Sequence, residues 1–266
     1  IENLPNDFEN ICSTSDVKNA GFEIKSQQAF GIQFHPEVYH SSEGHMLIKN
    51  FVVSICKCDQ SWTPDSFVEK TVQSLQLKLK DDKVVLGLSG GVDSTIAAVL
   101  ASRAVGDNLL AIYVDTGYMR LNESQFVSSM LEELGVNYKV IDASKRFYEG
   151  LEGVIDPEEK RKIIGELFIR VFEEEAKEYG GKFLVQGTIA PDWIESGGGM
   201  RDTIKSHHNV GGLPDDMAME LCEPIRELYK DEVRLLAEFL EVPVAHRQPF
   251  PVPGVAVRVR GEATPE

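Results

Sequence analysis

The residues best suited to chemistry form the run Ser89-Gly90-Gly91-Val92-Asp93-Ser94, which follows an apolar stretch and opens a helical pattern. A loop between a strand and a helix aims its backbone N–H groups and the helix N-terminus at one anion-sized space. Two glycines let that backbone approach phosphate oxygens without a Cβ in the way. The chain lacks G-x-x-x-x-G-K-[ST], and this run is not G-x-G-x-x-G, so the loop differs from those of kinase-like NTPases and dinucleotide folds. The run therefore predicts a phosphate-binding loop of another kind.

The side chains of this loop suggest two roles. Ser89, Gly91, Val92 and Ser94 are predicted to supply donors that face the negative charge of a departing phosphate. Asp93 would repel phosphate unless a cation lay between them, so it is assigned to Mg²⁺. The alternative is a glycine-rich turn in which Asp93 only caps the following helix.

Further stretches give the loop a context. The hexapeptide matches SGGxDS, the signature of the ATP pyrophosphatase (PP-loop) class. Four more runs, in the same order along the chain, resemble GMP synthetase, and a fifth matches that family's closing motif but departs from its usual Gly-Pro-Gly at Val252-Pro253-Gly254. In chain order the five runs are YVDTGYMR (113–120), QGTIAPDWIES (186–196), IKSHHNVGGLP (204–214), EPIRELYKDEVR (223–234) and RQPFP (247–251).

The resemblance implies a reaction in which xanthosine monophosphate (XMP) attacks the α-phosphorus of MgATP. The adenylyl-XMP intermediate is converted to GMP by ammonia, and AMP and pyrophosphate are released. Another PP-loop enzyme, such as an NAD synthetase or a tRNA thiolation enzyme, and an inactive nucleotide-binding module are the alternatives.

The resemblance also implies residue roles beyond the loop. Lys205 is expected to neutralise the transferring or leaving phosphate, with a solvated surface charge as its alternative. The end of a strand is where α/β sheets commonly bind ligands, so the backbone of Val114 is expected to recognise adenosine. Gly187 and Thr188, together with the loop residue Gly90, are expected to bind ATP. Asp192, Glu195 and Ser196 are expected at the substrate or in a lid, with a solvated loop as the alternative. His207 and His208 are expected near the nucleotide as substrate or lid residues, with a structural role for one of them as the alternative.

A second motif lies near the start of the chain. Residues 31–37, GIQFHPE, resemble the closing motif of class I glutamine amidotransferases, in which a cysteine attacks the glutamine amide. His35 and Glu37 match the proton-shuttling histidine and its orienting glutamate, although a structural His35 is the alternative. None of the four cysteines has the glycine-flanked setting of the nucleophile. We therefore expect no glutaminase chemistry from this chain alone.

The pattern around these motifs predicts an α/β fold. From Lys83 onward, expected strands at 84–88, 109–114, 138–141 and 183–186 alternate with expected helices at 93–105, 124–134, 158–179 and 230–240. Such alternation predicts a parallel sheet with helices on both faces, which the resemblance identifies as the adenine nucleotide alpha hydrolase-like PP-loop fold. Residues 187–220 have little periodicity and predict a long irregular loop. Residues 1–58 are expected to be the remnant of an α/β amidotransferase domain, and 59–266 the ATP pyrophosphatase domain.

Composition narrows the possible partners and compartment. The formal net charge is -16, which disfavours binding to nucleic acid because such binding depends on Lys and Arg. No apolar run is long enough to span a bilayer, and no signal peptide is recognised, so a cytoplasmic protein with reduced thiols is expected. Cys56-Lys57-Cys58 lacks a second ligand pair and favours free thiols over a metal site. The family's C-terminal dimerisation domain, which helps bind XMP, is expected to be absent here, and the full-length protein is expected to be a homodimer.

Overall fold

The computed structural model describes residues 1–195, 219–248 and 254–264. The chain divides into two compact units, Ile1–Ser61 and Trp62–Glu266. The sequence-based boundary between residues 58 and 59 lies close to this division. Within the described residues, none of the helices combines the length and the apolar character needed to cross a membrane.

The first unit is a small antiparallel sheet followed by a helix. Its strands are β1 Phe8–Cys12, β2 Gly21–Ile24 and β3 Ala29–Ile32, and they lie in the order β1-β2-β3. Helix α1, Gly44–Lys49, continues into a π-helical segment, Asn50–Ile55. The buried residues of this unit are few, namely Asn19, Ala20, Gly21 and Gly44.

The second unit is built on a parallel sheet whose central strand is β4. The strands are β4 Val84–Leu88, β5 Leu109–Asp115, β6 Tyr138–Asp142, β7 Phe183–Val185 and β8 Glu220–Cys222. Their order across the sheet is β6-β5-β4-β7-β8, and all four neighbouring pairs are parallel. The chain thus runs outward from β4 to β6 and then returns to the other side of β4. The carboxyl ends of β4 and β7 flank the point where strand order reverses, which is where open α/β sheets bind ligands.

Helices cover both faces of this sheet. They are α2 Pro64–Leu79, α3 Val92–Val105, α4 Glu123–Glu133, α5 Ser144–Leu151, α6 Pro157–Tyr179, α7 Ala190–Glu195 and α8 Lys230–Phe239. Strand residues alternate between two hydrophobic clusters: Leu86 packs with Leu100 of α3, whereas Val85 packs in the cluster of Phe172 of α6. The predicted parallel α/β fold with helices on both faces is therefore confirmed.

The sequence-based expectation was wrong for two stretches of the second unit. Residues 187–220 were expected to be irregular, yet α7 lies within them and Glu220 begins β8. Both elements are too short to show a periodicity of their own, and the Ala190 amide that opens α7 donates to the carbonyl of Leu228, far along the chain. Helix α5 was also not expected, although it buries Phe147 and Leu151 on one face.

Candidate functional site

The predicted phosphate loop connects the central strand to α3. Gly90 has a φ of +74°, a conformation that L side chains rarely adopt, and a Cβ there would lie 3.3 Å from Oε1 of Glu123. Gly91 is the N-cap residue of α3, and no side chain caps this helix end. The first amides of α3 therefore remain available to an anion, and the helix dipole favours negative charge there.

The hydroxyl groups of the loop bond to the loop itself. The Ser89 and Ser94 hydroxyls are 2.8 Å apart, and the Ser89 amide donates to Oγ of Ser94 at 3.2 Å. Thr95 Oγ1 donates to the carbonyl of Gly91 at 2.8 Å. These bonds shape the loop before any ligand binds, so less conformational entropy has to be lost on binding.

A cavity of about 190 Å³ opens at this loop. Three cationic side chains line its wall: Lys230 and Arg234 belong to α8, and Arg247 lies in the segment after that helix. None of the three was assigned a role from the sequence. The complete lining is Ser89, Gly90, Gly91, Val92, Asp93, Glu123, Lys230, Arg234, Arg247 and Gln248.

Asp93 already has a cationic neighbour. The Lys230 ammonium donates to Oδ1 of Asp93 at 2.8 Å and to Oδ2 at 2.6 Å. The charge that would otherwise repel a phosphate is thus balanced by a residue 137 positions away. In the part of the chain that the structure describes, no group of three or more His, Cys, Asp or Glu side chains is placed to hold a metal ion.

A second ion pair in the cavity wall is more deeply buried. Arg247 donates through both terminal nitrogens to the two carboxylate oxygens of Glu123, each at 2.7 Å. The guanidinium also lies 4.3 Å from the ring centroid of Phe126. Behind the loop, burial raises the pKa of the Tyr113 hydroxyl above its ordinary value, so this side chain adds no charge at neutral pH.

Four of the expected ATP-binding residues do not line the cavity, namely Ser94, Gly187, Thr188 and Val114. The Ser94 hydroxyl bonds within the loop itself. Gly187 packs directly against the loop, because a Cβ there would lie 2.8 Å from the backbone carbon of Asp93 and from the Ser94 amide nitrogen. Thr188 is fully buried. Val114 is 2% exposed and lies within β5, where it pairs with Ile141 of β6.

The expected substrate and lid residues are only partly described. Asp192 lies on α7, where its Oδ2 accepts the Ile189 amide at 3.0 Å, and Glu195 is the last residue of that helix. The other expected residues lie outside the described residues: Ser196, Lys205, His207, His208, and Pro249, Phe250 and Pro251 of the closing motif.

The amidotransferase motif forms a pair in the first unit. His35 Nδ1 and Glu37 Oε1 are 2.7 Å apart, with side chains 81% and 58% exposed. The pKa of Glu37 lies below its usual value. The main cause is the hydrogen bond from its own backbone amide to the carboxylate, and the second is the hydrogen bond with the His35 ring. A carboxylate bound to one ring nitrogen orients the other, as in nucleophile-activating pairs. The described cysteines of this unit are the half-buried Cys12 and the exposed Cys56 and Cys58.

Comparisons with known proteins match a different family to each of the two units. The family model for glutamine amidotransferase class-I matches residues 1–55, and the model for NAD synthase matches residues 64–169. The structure of NMN synthetase from Francisella tularensis superposes with a TM-score of 0.53 at 22% identity, covering 71% of this chain and 76% of that one. The chain thus joins part of an amidotransferase domain to an α/β domain with the PP-loop fold.

Curated relatives specify the family further. A glutamine-hydrolyzing GMP synthase from Bacteroides fragilis is 53% identical over 269 residues, and one from Cytophaga hutchinsonii is 51% identical over 271 residues. Each match takes in 100% of this chain and 53% of the relative. The resemblance to GMP synthetase is therefore confirmed along the whole chain, which spans about half the length of the curated relatives it matches.

Proposed function

We propose that the protein makes GMP from XMP, ATP and either glutamine or ammonia, as a cytoplasmic, homodimeric ligase of purine biosynthesis. ATP would adenylylate XMP, and ammonia would then displace AMP from the intermediate. The observation that carries this proposal is the SGGVDS loop, which lies at the strand-order reversal and opens on a cavity with three cationic side chains. The identity to GMP synthases over the whole chain supports XMP as the nucleotide substrate.

The loop would receive the phosphates of ATP. The first amides of α3 and the backbone of Gly90 and Gly91 would donate to the departing pyrophosphate, whose charge grows in the transition state. Lys230 would share its charge between Asp93 and that group. Lys205 would add a further positive charge, as the family motif implies.

Magnesium fits this loop through Asp93. Mg²⁺ is usually bound by one or two carboxylates together with substrate phosphates and water, so one protein ligand on the cavity wall meets that requirement. The Asp93 oxygens retain lone pairs besides those that accept from Lys230. When bound with ATP, the ion would neutralise charge on the phosphates.

Pyrophosphate release tests the nucleotide chemistry. We expect full-length protein to release pyrophosphate with ATP, XMP and an ammonium salt, and the variant Asp93→Asn to lose magnesium-dependent turnover. Asp82→Asn is the matched control, because Asp82 pairs with Lys182 outside the cavity. Equal release by Asp93→Asn and the parent would remove Asp93 from the site.

The ammonia supply can be tested separately. His35 would carry the proton at the glutamine amide, with Glu37 as its orienting partner. In full-length protein we expect His35→Ala to lower the glutamine-driven rate about 10²–10⁴-fold while leaving the ammonia-driven rate unchanged. Equal losses in both routes would make His35 a structural residue.

A further inference from the structure

The ion pair of Glu123 and Arg247 calls for an explanation because of its place. It joins the first residue of α4 to Arg247, which lies in the segment after α8, and both partners line the cavity of the phosphate loop. The Glu123 side chain is 3% exposed and that of Arg247 is 24% exposed. Burying such a pair costs desolvation energy and is weak evidence for added stability. A role in binding would account for its place on the cavity wall.

The geometry leaves Arg247 able to bind a second anion. A guanidinium has five N–H donors in a fixed plane, and the fork to Glu123 uses two of them. The carboxylate fork and the face of Phe126 together fix the plane of the group. The three remaining donors belong to a partly exposed side chain on the wall of a cavity that the loop amides also line.

Glu123 connects the orientation of Arg247 to the loop. Its Oε1 atom, which accepts from Arg247, also lies 3.3 Å from the position a Cβ would take on Gly90. A larger residue at position 90 would push this carboxylate away. The same glycine that lets the backbone approach phosphate thus leaves room for the carboxylate that holds Arg247.

We propose that Arg247 is a binding residue for the pyrophosphate end of the nucleotide, and that Glu123 is its positioning residue. This inference rests on the proposed function, since it assigns a ligand to the cavity at the phosphate loop. Arginine suits the task because its planar fork matches two phosphate oxygens at once. Removing it should weaken pyrophosphate binding more than removing an equally forked arginine elsewhere.

Calorimetric titration of the 266-residue chain with inorganic pyrophosphate tests the role of Arg247. Hydrogen bonds to charged groups contribute about 1.5–3 kcal/mol, so Arg247→Met should raise the Kd for pyrophosphate about 10- to 150-fold. Arg146→Met is the control, because Arg146 forks to Glu174 at 2.7 and 2.9 Å outside the cavity. We expect that control to bind as the parent does. Equal binding by Arg247→Met would overturn the inference.

A double variant separates binding from folding. Arg247→Met alone leaves a buried carboxylate without its partner, which can unfold the chain. The variant Glu123→Gln/Arg247→Met removes both charges, and we expect it to fold while binding pyrophosphate as weakly as the single variant. Parental affinity in this variant would overturn the inference. If the parent chain does not bind pyrophosphate and the full-length enzyme does not release it, the proposed function itself is refuted.

The positioning role of Glu123 has its own readout. Glu123→Gln keeps the guanidinium but loses the ionic fork, so we expect a Kd between those of the parent and Arg247→Met. Adding Arg247→Met to Glu123→Gln should then raise the Kd by a smaller factor than it does in the parent. Equal factors in the two backgrounds would show that Glu123 does not orient Arg247.

Discussion

The two units of this chain hold their candidate functional groups in opposite ways. In the first unit, His35 and Glu37 are two positions apart and form an exposed pair. In the second unit, the cavity joins the loop after β4 to Glu123, Lys230 and Arg247, which are distant in sequence. The first arrangement needs only a local turn, whereas the second needs the whole sheet with its helices in place.

The two units also differ in how much of each is buried in a core. The first unit buries four residues, and two of them are glycines. The second unit contains both hydrophobic clusters of the described chain, one on each face of its sheet. Burial of apolar surface is the main favourable term in folding, so the second unit should carry most of the stability of this chain. A local motif can therefore lie in a weakly packed unit, but a cavity assembled from distant residues cannot.

Hydrogen exchange should show the largest difference. Amides in the central strand β4 and in β5 are expected to exchange only through global unfolding, while those in β1–β3 open locally. With a global stability of about 5–15 kcal/mol, exchange in β4 should be slower by at least about 10³-fold. Mass spectrometry on the intact chain measures both regions at once. Equal protection would mean that the small unit gains its stability from contacts outside its own few buried residues.

Removing one partner of a charged pair should also change the stability of the chain by different amounts in the two units. Arg247→Met strands the buried Glu123 carboxylate, so the free energy of unfolding should fall by about 3–5 kcal/mol. His35→Ala removes one side of an exposed pair, and its denaturation midpoint should match that of the parent. Urea titrations of both variants check this. A large loss in His35→Ala would contradict the purely local reading of the first unit.

The close approach of Gly187, in the segment after β7, to the phosphate loop should give a smaller effect. In Gly187→Ala the new methyl group meets the backbone of Asp93 and Ser94, so we expect a loss of about 1–3 kcal/mol and weaker ATP binding. Gly165 in α6 has no heavy atom within 4 Å of its Cβ position, so Gly165→Ala should stabilise the chain by about 0.5–1 kcal/mol. Denaturant midpoints for the two variants should move in opposite directions.

Local features of the fold could be predicted from the sequence. The strand Val84–Leu88 was placed with its observed bounds, because a short apolar run leads directly into a glycine-rich loop. The helix after that loop begins at Val92, one residue before the expected start. In contrast, the three residues of β8 show no pattern, and only pairing with β7 makes them a strand.

The cationic wall of the candidate site could not be predicted in this way. Lys230, Arg234 and Arg247 all belong to runs that resemble GMP synthetase, so that resemblance marked them without indicating what they face. Glu123 and Arg247 stand 124 positions apart, and no spacing rule connects them. Residues that meet only through the packing of the sheet and its helices leave no local signal. The magnesium assignment of Asp93 stays a prediction, and the structure adds Lys230 as a second, unpredicted cationic neighbour of its carboxylate.

The cysteine thiols of the two units also differ in burial, and we expect the smallest effect from this difference. Burial raises the pKa of the Cys222 thiol in β8, whereas Cys56 and Cys58 are exposed. The thiolate is the reactive form, so an alkylating reagent at pH 8 should modify Cys56 and Cys58 quickly and Cys222 only after unfolding.

The pH dependence of Cys222 follows from the same shift. Because the folded protein holds its proton more tightly than the unfolded chain, its contribution to stability is fully present below the ordinary thiol pKa of about 8.5. That contribution is lost as the pH rises through the higher pKa of the folded protein. Peptide mapping after timed alkylation measures the first expectation, and unfolding midpoints between pH 7 and 10 measure the second. Rapid modification of Cys222 at pH 8 in the folded chain would mean that β8 opens as readily as the first unit, which would remove the contrast between the two units at this edge of the sheet.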